Sequence, residues 1–198
     1  MIVETAQMLS TAHRLHDGIP ERVPSKSGKT MRTVYHMRDF CKFTNYDEIY
    51  MINVHEKHPC SEWIRKNRSN YSWAVSLFNN LCYEYTYRYG KKHSCERLSG
   101  AFSRVPFNMP DGPMTEPPQA INEDLYPDCK VSGDPVTAYR NYYRVAKSHF
   151  NNYTKRDVPD FLNTTELREN KSRNWVSFNL TRVIESRAIK QKEYFNYV

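Results

Sequence analysis

Glu4 stands one helical turn into MIVETAQMLSTAHRLHDG, a stretch whose Ile2, Val3, Ala6, Leu9, Ala12 and Leu15 are apolar. A carboxylate in such surroundings can have a raised pKa or pair with an arginine, and either suits catalysis. The alternative is a glutamate on the solvent side of a helix. A second group, His55-x-x-His58-x-Cys60 with His93-x-Cys95 elsewhere, offers the imidazoles and thiols that zinc takes. Its spacing matches no common structural zinc site. His58-Pro59-Cys60 reads better as the rigid start of a helix, with His58 in a fixed hydrogen bond, so neither a metal nor a cofactor is expected. A third group is basic and aromatic. Arg88, Lys91, Lys92 and His93 follow tyrosines at 83, 85, 87 and 89, while Arg140, Arg144 and Lys147 recur at helical spacing beside Tyr139 and Tyr143. Such cations hold phosphates while tyrosine rings stack on bases; the alternative is a solvated charged face. SKSGKT lacks the first glycine of a phosphate loop and reads as an exposed basic loop. No serine or cysteine sits in a recognisable nucleophile setting.

The elements that must position these groups are mostly helical. Apolar residues at three- and four-residue spacing predict a first helix that stops at Gly18. No Ser, Thr, Asp or Asn precedes it as a cap, which implies a helix beginning in mid-turn and either a shortened product or a natural start upstream. Residues 19–57 show little periodicity, with one short strand expected within Thr33–Phe43. A long second helix is expected from about Ser61 to Tyr89. Its stripe is Tyr71, Ala74, Val75, Phe78, Leu81, Cys82, Tyr85 and Tyr89, with Tyr83, Tyr87 and Arg88 outward and Gly90 as the residue past its end. Ser94 is read as the cap of a short helix through about Phe102. Seven of the eleven prolines then fall between Pro106 and Pro135, an extended loop. Asp134-Pro135 starts the next helix, and a last one is expected over about Thr165–Lys190.

The 198 residues fit one domain with a terminal extension, long enough to bury a core unaided. No signal peptide or membrane-crossing run is visible, and the five scattered cysteines contain no CxxC, which together suggest a soluble, intracellular protein with reduced thiols. The sequons at Asn70 and Asn152 are then chance matches. Net charge is +7 with 15 tyrosines and three tryptophans, a balance that favours a nucleic-acid partner.

The segments Glu4–Arg14, His58–Trp73, Glu84–His93 and Asp134–Tyr143 resemble a group of phage-encoded proteins carrying ETAQ(L/M)LSTAHR, HPC…W.R…NY.W, EYTYRYGK.H and DPV.AYRNYY. The match spans roughly residues 1–162 and implies no settled activity. More distantly, the order and spacing resemble pyrimidine-dimer DNA glycosylases of the phage endonuclease V type. That family is all-helical and uses an N-terminal α-amine as nucleophile with a helical glutamate as the essential carboxylate. The resemblance places Glu4 at that glutamate and His58 at a histidine before the next long helix. The family's Asp-x-His segment has no counterpart ahead of Glu4, and the last 36 residues lie outside the pattern.

The expectation is thus a mainly α, compact helical domain over 1–162 with a long proline-rich loop and a helical extension over 163–198. Its function would be that of a phage DNA-interacting protein resembling a glycosylase/AP lyase, acting on double-stranded DNA in the host cytoplasm without a membrane. Glu4 and His58 would be catalytic; Arg88, Lys91, His93, Tyr139, Arg140, Tyr143 and Arg144 would bind the nucleic acid. The alternative is a non-catalytic module that binds nucleic acid or a host protein, for example to counter a defence.

Overall fold

A computed structural model describes residues 1–25, 27–37, 45–148 and 153–162. Helix α1 (Ile2–Asp17) buries Ala6, Leu9 and Ala12, and the Gly18 N–H closes it on the Arg14 carbonyl. An antiparallel hairpin follows, β1 (Ile19–Pro24) against β2 (Met31–His36), with Ile19 opposite His36 and Pro24 opposite Met31. The single strand expected within 33–43 is therefore the second arm of a hairpin; residues 38–44 lie outside the described set. β1 escaped detection because Pro20 and Pro24 argue against a strand. An exposed edge tolerates them, since its N–H groups need no partner.

Short α2 (Tyr46–Ile49) leads to α3 (Pro59–Arg65) and α4 (Arg68–Tyr89). The continuous helix expected over 61–89 is thus two helices. Asn67 breaks it with extended backbone, and its side chain accepts from the Asn70 N–H to cap α4. Asn67 and Asn70 also hold the proline-rich loop. The Asn67 amide donates to the Pro113 carbonyl at 2.9 Å, while Asn70 donates to Trp63 O and Thr115 Oγ1 and accepts from Thr115 N, each at 2.9 Å. With its amide consumed and 0% exposed, Asn70 is no glycosylation acceptor.

Gly90 ends α4 in the left-handed region (φ 68°), as its sequence position implied. A 3-10 turn (Ser94–Leu98) and α5 (Ser99–Phe102) come next, capped by His93 rather than Ser94. The described residues divide into two compact units, Met1–Ala120 and a second starting at Ile121. The first centres on Leu9, Tyr71, Phe78, Leu98 and Phe102. The second packs Ile121, Cys129 and Ala138 beneath α6 (Pro135–Ala146), whose start is capped by Asp134 accepting from Thr137 N and Oγ1. These elements make the protein mainly helical. The expected boundary at 162 and the expected helix over 165–190 lie outside the described residues. Among those described, no helix is long and apolar enough to cross a membrane, and all four cysteines are free thiols.

Three buried polar residues of α1, Thr11, His13 and Arg14, hold neighbouring elements in place. Arg14, 3% exposed, spends all five donors: Nε on Met51 O, Nη1 on Tyr35 O and Asp47 Oδ1, Nη2 on Asp47 O and Tyr50 O, at 2.5–2.8 Å. Desolvation would raise the Asp47 pKa, but hydrogen bonds from Met37 N–H, Arg14 and His36 outweigh it and hold it at about 2. His13 stacks on Tyr50 at 4.2 Å and meets the Tyr71 hydroxyl through Nε2 at 2.7 Å. Tyr71 donates its one proton to Phe102 O, so the imidazole Nε2–H donates to Tyr71. Thr11 Oγ1 donates to Val54 O and accepts from Val54 N. The three polar neighbours Thr11, His13 and Arg14 thereby tie α1 to the segment between α2 and α3, and to α4 and β2.

Candidate nucleic-acid interface

α4 is buried on one face only. Tyr71, Ala74, Phe78 and Cys82 are buried, while Trp73, Tyr83 and Tyr87 stand on the opposite side at 41%, 67% and 43% exposure. At about 100° per residue the three fall within about 80° of one another around the helix, with Trp73 about 15 Å from Tyr83 along the axis. Trp73 is steadied edge-on by Trp63 at 5.4 Å. Ser76 and Asn80, between the rings on the same face, are exposed and uncharged. Tyr85 and Tyr89 were both expected to continue the buried stripe; Tyr85 is half-buried, but Tyr89 is exposed. The helix ends there, and Tyr89 is 58% exposed among the described residues. Tyr85 packs against Tyr89 at 4.8 Å and edge-on to His93 at 4.9 Å.

The cations beside these rings differ in what they are free to do. Arg88 Nε pairs with Glu84 at 2.7 Å, one turn back along α4, and Lys92 with Glu96 at 3.4 Å. Lys91 is exposed and has no ion pair among the described residues. His93 caps the following 3-10 turn, its Nδ1 accepting from the Cys95 N–H at 3.1 Å. His58 does the same for α3, accepting from the Cys60 N–H at 3.2 Å. The two His-x-Cys motifs are thus one device used twice. Each imidazole supplies the acceptor that the first N–H groups of a helix lack, and each places its Nδ1 on a backbone amide. Cys82 and Cys95 are buried, and burial pushes the Cys82 thiol up to about 11.

Glu4 lies on the solvent side of α1, 67% exposed, with Oε2 3.3 Å from the Met1 α-amine. It is separate from the buried polar row of α1, and no hydrogen bond or ion pair joins it to His58 among the described residues. In the second unit Arg144 donates to the Phe161 carbonyl at 2.7 Å and to Asn141, and the Arg140 guanidinium lies over the Phe161 ring at 5.4 Å. These two arginines fasten the 160–162 turn to α6. Tyr139 is half-buried against Ile121, Cys129 and Ala138, and Tyr143 is half-buried on the same helix. Of the expected binding residues, Arg88, Lys91 and His93 gather at one end of α4, and Tyr139, Arg140, Tyr143 and Arg144 gather on α6. Trp73 was not among them. The signal that could have found it is its spacing: steps of three, four, three and four residues lead from Trp73 through Ser76 and Asn80 to Tyr83 and Tyr87. No family model, curated protein or solved structure matches the chain.

Proposed function

We propose that this protein binds DNA without acting on it, through the outward face of α4 and the turn beyond Gly90. The observation that carries this reading is the row of exposed rings, Trp73, Tyr83 and Tyr87, ending at Lys91, which is exposed and has no ion pair among the described residues. Rings held by a rigid helix can stack on bases with little entropy left to lose, and each stacked base is worth about 1–3 kcal/mol. Lys91 supplies a phosphate contact next to them. The net charge of +7 draws a polyanion to the surface at long range. A Tyr83→Ala/Tyr87→Ala variant should bind a fluorescent oligonucleotide at least about tenfold more weakly than wild type. Lys91→Ala should lower the salt dependence by about one contact. Unchanged affinity in both variants would end this reading, and capture of a host protein through the same rings would replace it.

The glycosylase/AP lyase reading is favoured by one observation, the 3.3 Å approach of the Met1 amine to the Glu4 carboxylate. In that chemistry the Met1 ammonium first gives a proton to Glu4, its freed lone pair attacks C1′, and the damaged base leaves with the glycosidic electrons and a second proton from the same nitrogen. Opening of the C1′–O4′ bond then leaves an iminium, with Glu4 supplying the proton to O4′. Borohydride reduces that iminium to a stable amine. Lesion-bearing DNA incubated with protein and borohydride should yield a covalent adduct that is lost in Glu4→Gln. No adduct, with binding intact, leaves the protein a binder alone.

A further inference from the structure

The β1–β2 hairpin carries the SKSGKT stretch that the α4 surface leaves unused. Its strands pair in register from Ile19–His36 to Pro24–Met31, and Ser25 N–H to Thr30 O at 2.7 Å closes the outer end. Gly28, at φ 71°, makes the turn. Ile19–Arg22, Pro24 and Ser27–Arg32 are exposed, so the outer half of the ribbon stands in solvent on both faces. A two-stranded hairpin is marginal by itself, yet this one is bolted at its foot. Arg14 donates to Tyr35 O at 2.6 Å, and His36 bridges Asp47 at 2.9 Å and Glu21 at 3.1 Å. At the corner between α1 and β1 a side chain on Gly18 would come within 3.0 Å of Tyr35 Cβ on β2, so the end of the helix and the ribbon are in tight contact there.

The unpaired charges described along the ribbon are of one sign. Arg22, Lys29 and Arg32 are exposed with no ion pair among the described residues, whereas the one acid on the strands, Glu21, is engaged by His36 at the foot. Arg22 sits opposite Thr33 and Arg32 opposite Val23, adjacent pairs that project to opposite faces. Cations therefore occupy both faces and the tip. Pro20 and Pro24 remove two N–H groups from β1, which works against strand addition by another polypeptide. A two-stranded ribbon fits the B-DNA major groove, about 12 Å wide, whose phosphate walls meet cations on either face.

We propose that the β1–β2 hairpin is a second, duplex-specific DNA site: an arm that enters the major groove, with Arg22, Lys29 and Arg32 contacting phosphates or base edges. It rests on the reading of the protein as a DNA binder and adds a partner that the α4 rings do not select. The test uses the full chain and an Arg22→Ala/Lys29→Ala/Arg32→Ala variant, whose exposed substitutions leave the core untouched. Anisotropy is followed over a salt series with a 20-base-pair duplex and with a single strand of equal length. The variant should lose about tenfold or more in duplex affinity, and its salt slope should fall by about three contacts' worth, roughly 2.7. Single-strand binding should hardly move, while Tyr83→Ala/Tyr87→Ala weakens the single strand. Wild type should also shield guanine N7, a major-groove atom, from methylation, and the variant should not. Equal duplex affinity and slope in wild type and variant would overturn the arm alone. Protection confined to adenine N3 would overturn the major-groove placement. Failure of wild type to bind either probe would remove the DNA reading and the arm with it.

Discussion

His13 offers a test of the core that reports a proton rather than a contact. It is 3% exposed, and burial depresses its pKa from 6.5 to about 4, with Asp17 opposing the shift and His16 adding to it. The folded pKa lies below the unfolded one, so on acidification the unfolded chain takes the proton first. The stability linked to His13 is complete above about pH 6.5 and is lost as pH falls toward 4. A shift of about 2.5 units corresponds to about 3 kcal/mol in all, of which about 2 kcal/mol should go between pH 7 and pH 5. His13→Gln separates this from everything else that titrates. Its amide nitrogen can take the place of Nε2 and donate to Tyr71, which already spends its own proton on Phe102 O. It cannot titrate, and it loses the stack on Tyr50. The variant should therefore be less stable at neutral pH but flatter in pH, by about 2 kcal/mol between pH 7 and pH 5. Urea unfolding followed by far-UV circular dichroism at a series of pH values measures both curves. Asp47 is lost in a lower window, from 3.8 toward about 2, in wild type and variant alike, and cancels in the difference. Parallel curves would refute the assignment of a buried neutral imidazole at this position.

Arg14→Met strands four carbonyls and the Asp47 carboxylate, and should cost about 3–5 kcal/mol in urea unfolding. Arg14→Lys, with three donors for five acceptors, should fall between the variant and wild type, and a loss below about 1 kcal/mol in both would mean that water replaces the guanidinium. Phe78→Ala empties a fully buried site edge-on to Phe102 and should cost about 3–5 kcal/mol, measured the same way. The Cys82 thiol, buried and pushed up to about 11, should resist a thiol reagent in the native protein at pH 8 and react on unfolding; prompt native reaction would contradict its burial.

Helix identity, the turn at Gly90 and the Asp134-Pro135 start were legible from order along the chain, because caps, stops and apolar periodicity act over four residues or fewer. The outward aim of Tyr83 and Tyr87 followed from the same periodicity. The reading of His58-Pro59-Cys60 as the rigid start of a helix, with His58 in a fixed hydrogen bond, was equally local, since the bond runs to an amide only two residues on. What sequence could not settle depended on partners far along the chain. The break at Asn67 exists because two asparagines must reach a loop more than 40 residues away, and no local pattern announces a long-range hydrogen bond. The β1 strand needed β2 and the Arg14 anchor to be worth forming. Tyr89 was assigned to the core by spacing, but a helix face is buried only where something packs on it. The same rule governs the charges. A run of cations in sequence shows a basic segment, yet Arg88 is turned to Glu84 and Arg144 to a carbonyl, while Lys91, Arg22, Lys29 and Arg32 stand in solvent without an ion pair among the described residues. Sequence determines which groups are charged; tertiary structure decides which of those charges are already spent inside the molecule, because ion pairs and hydrogen bonds form between neighbours in space.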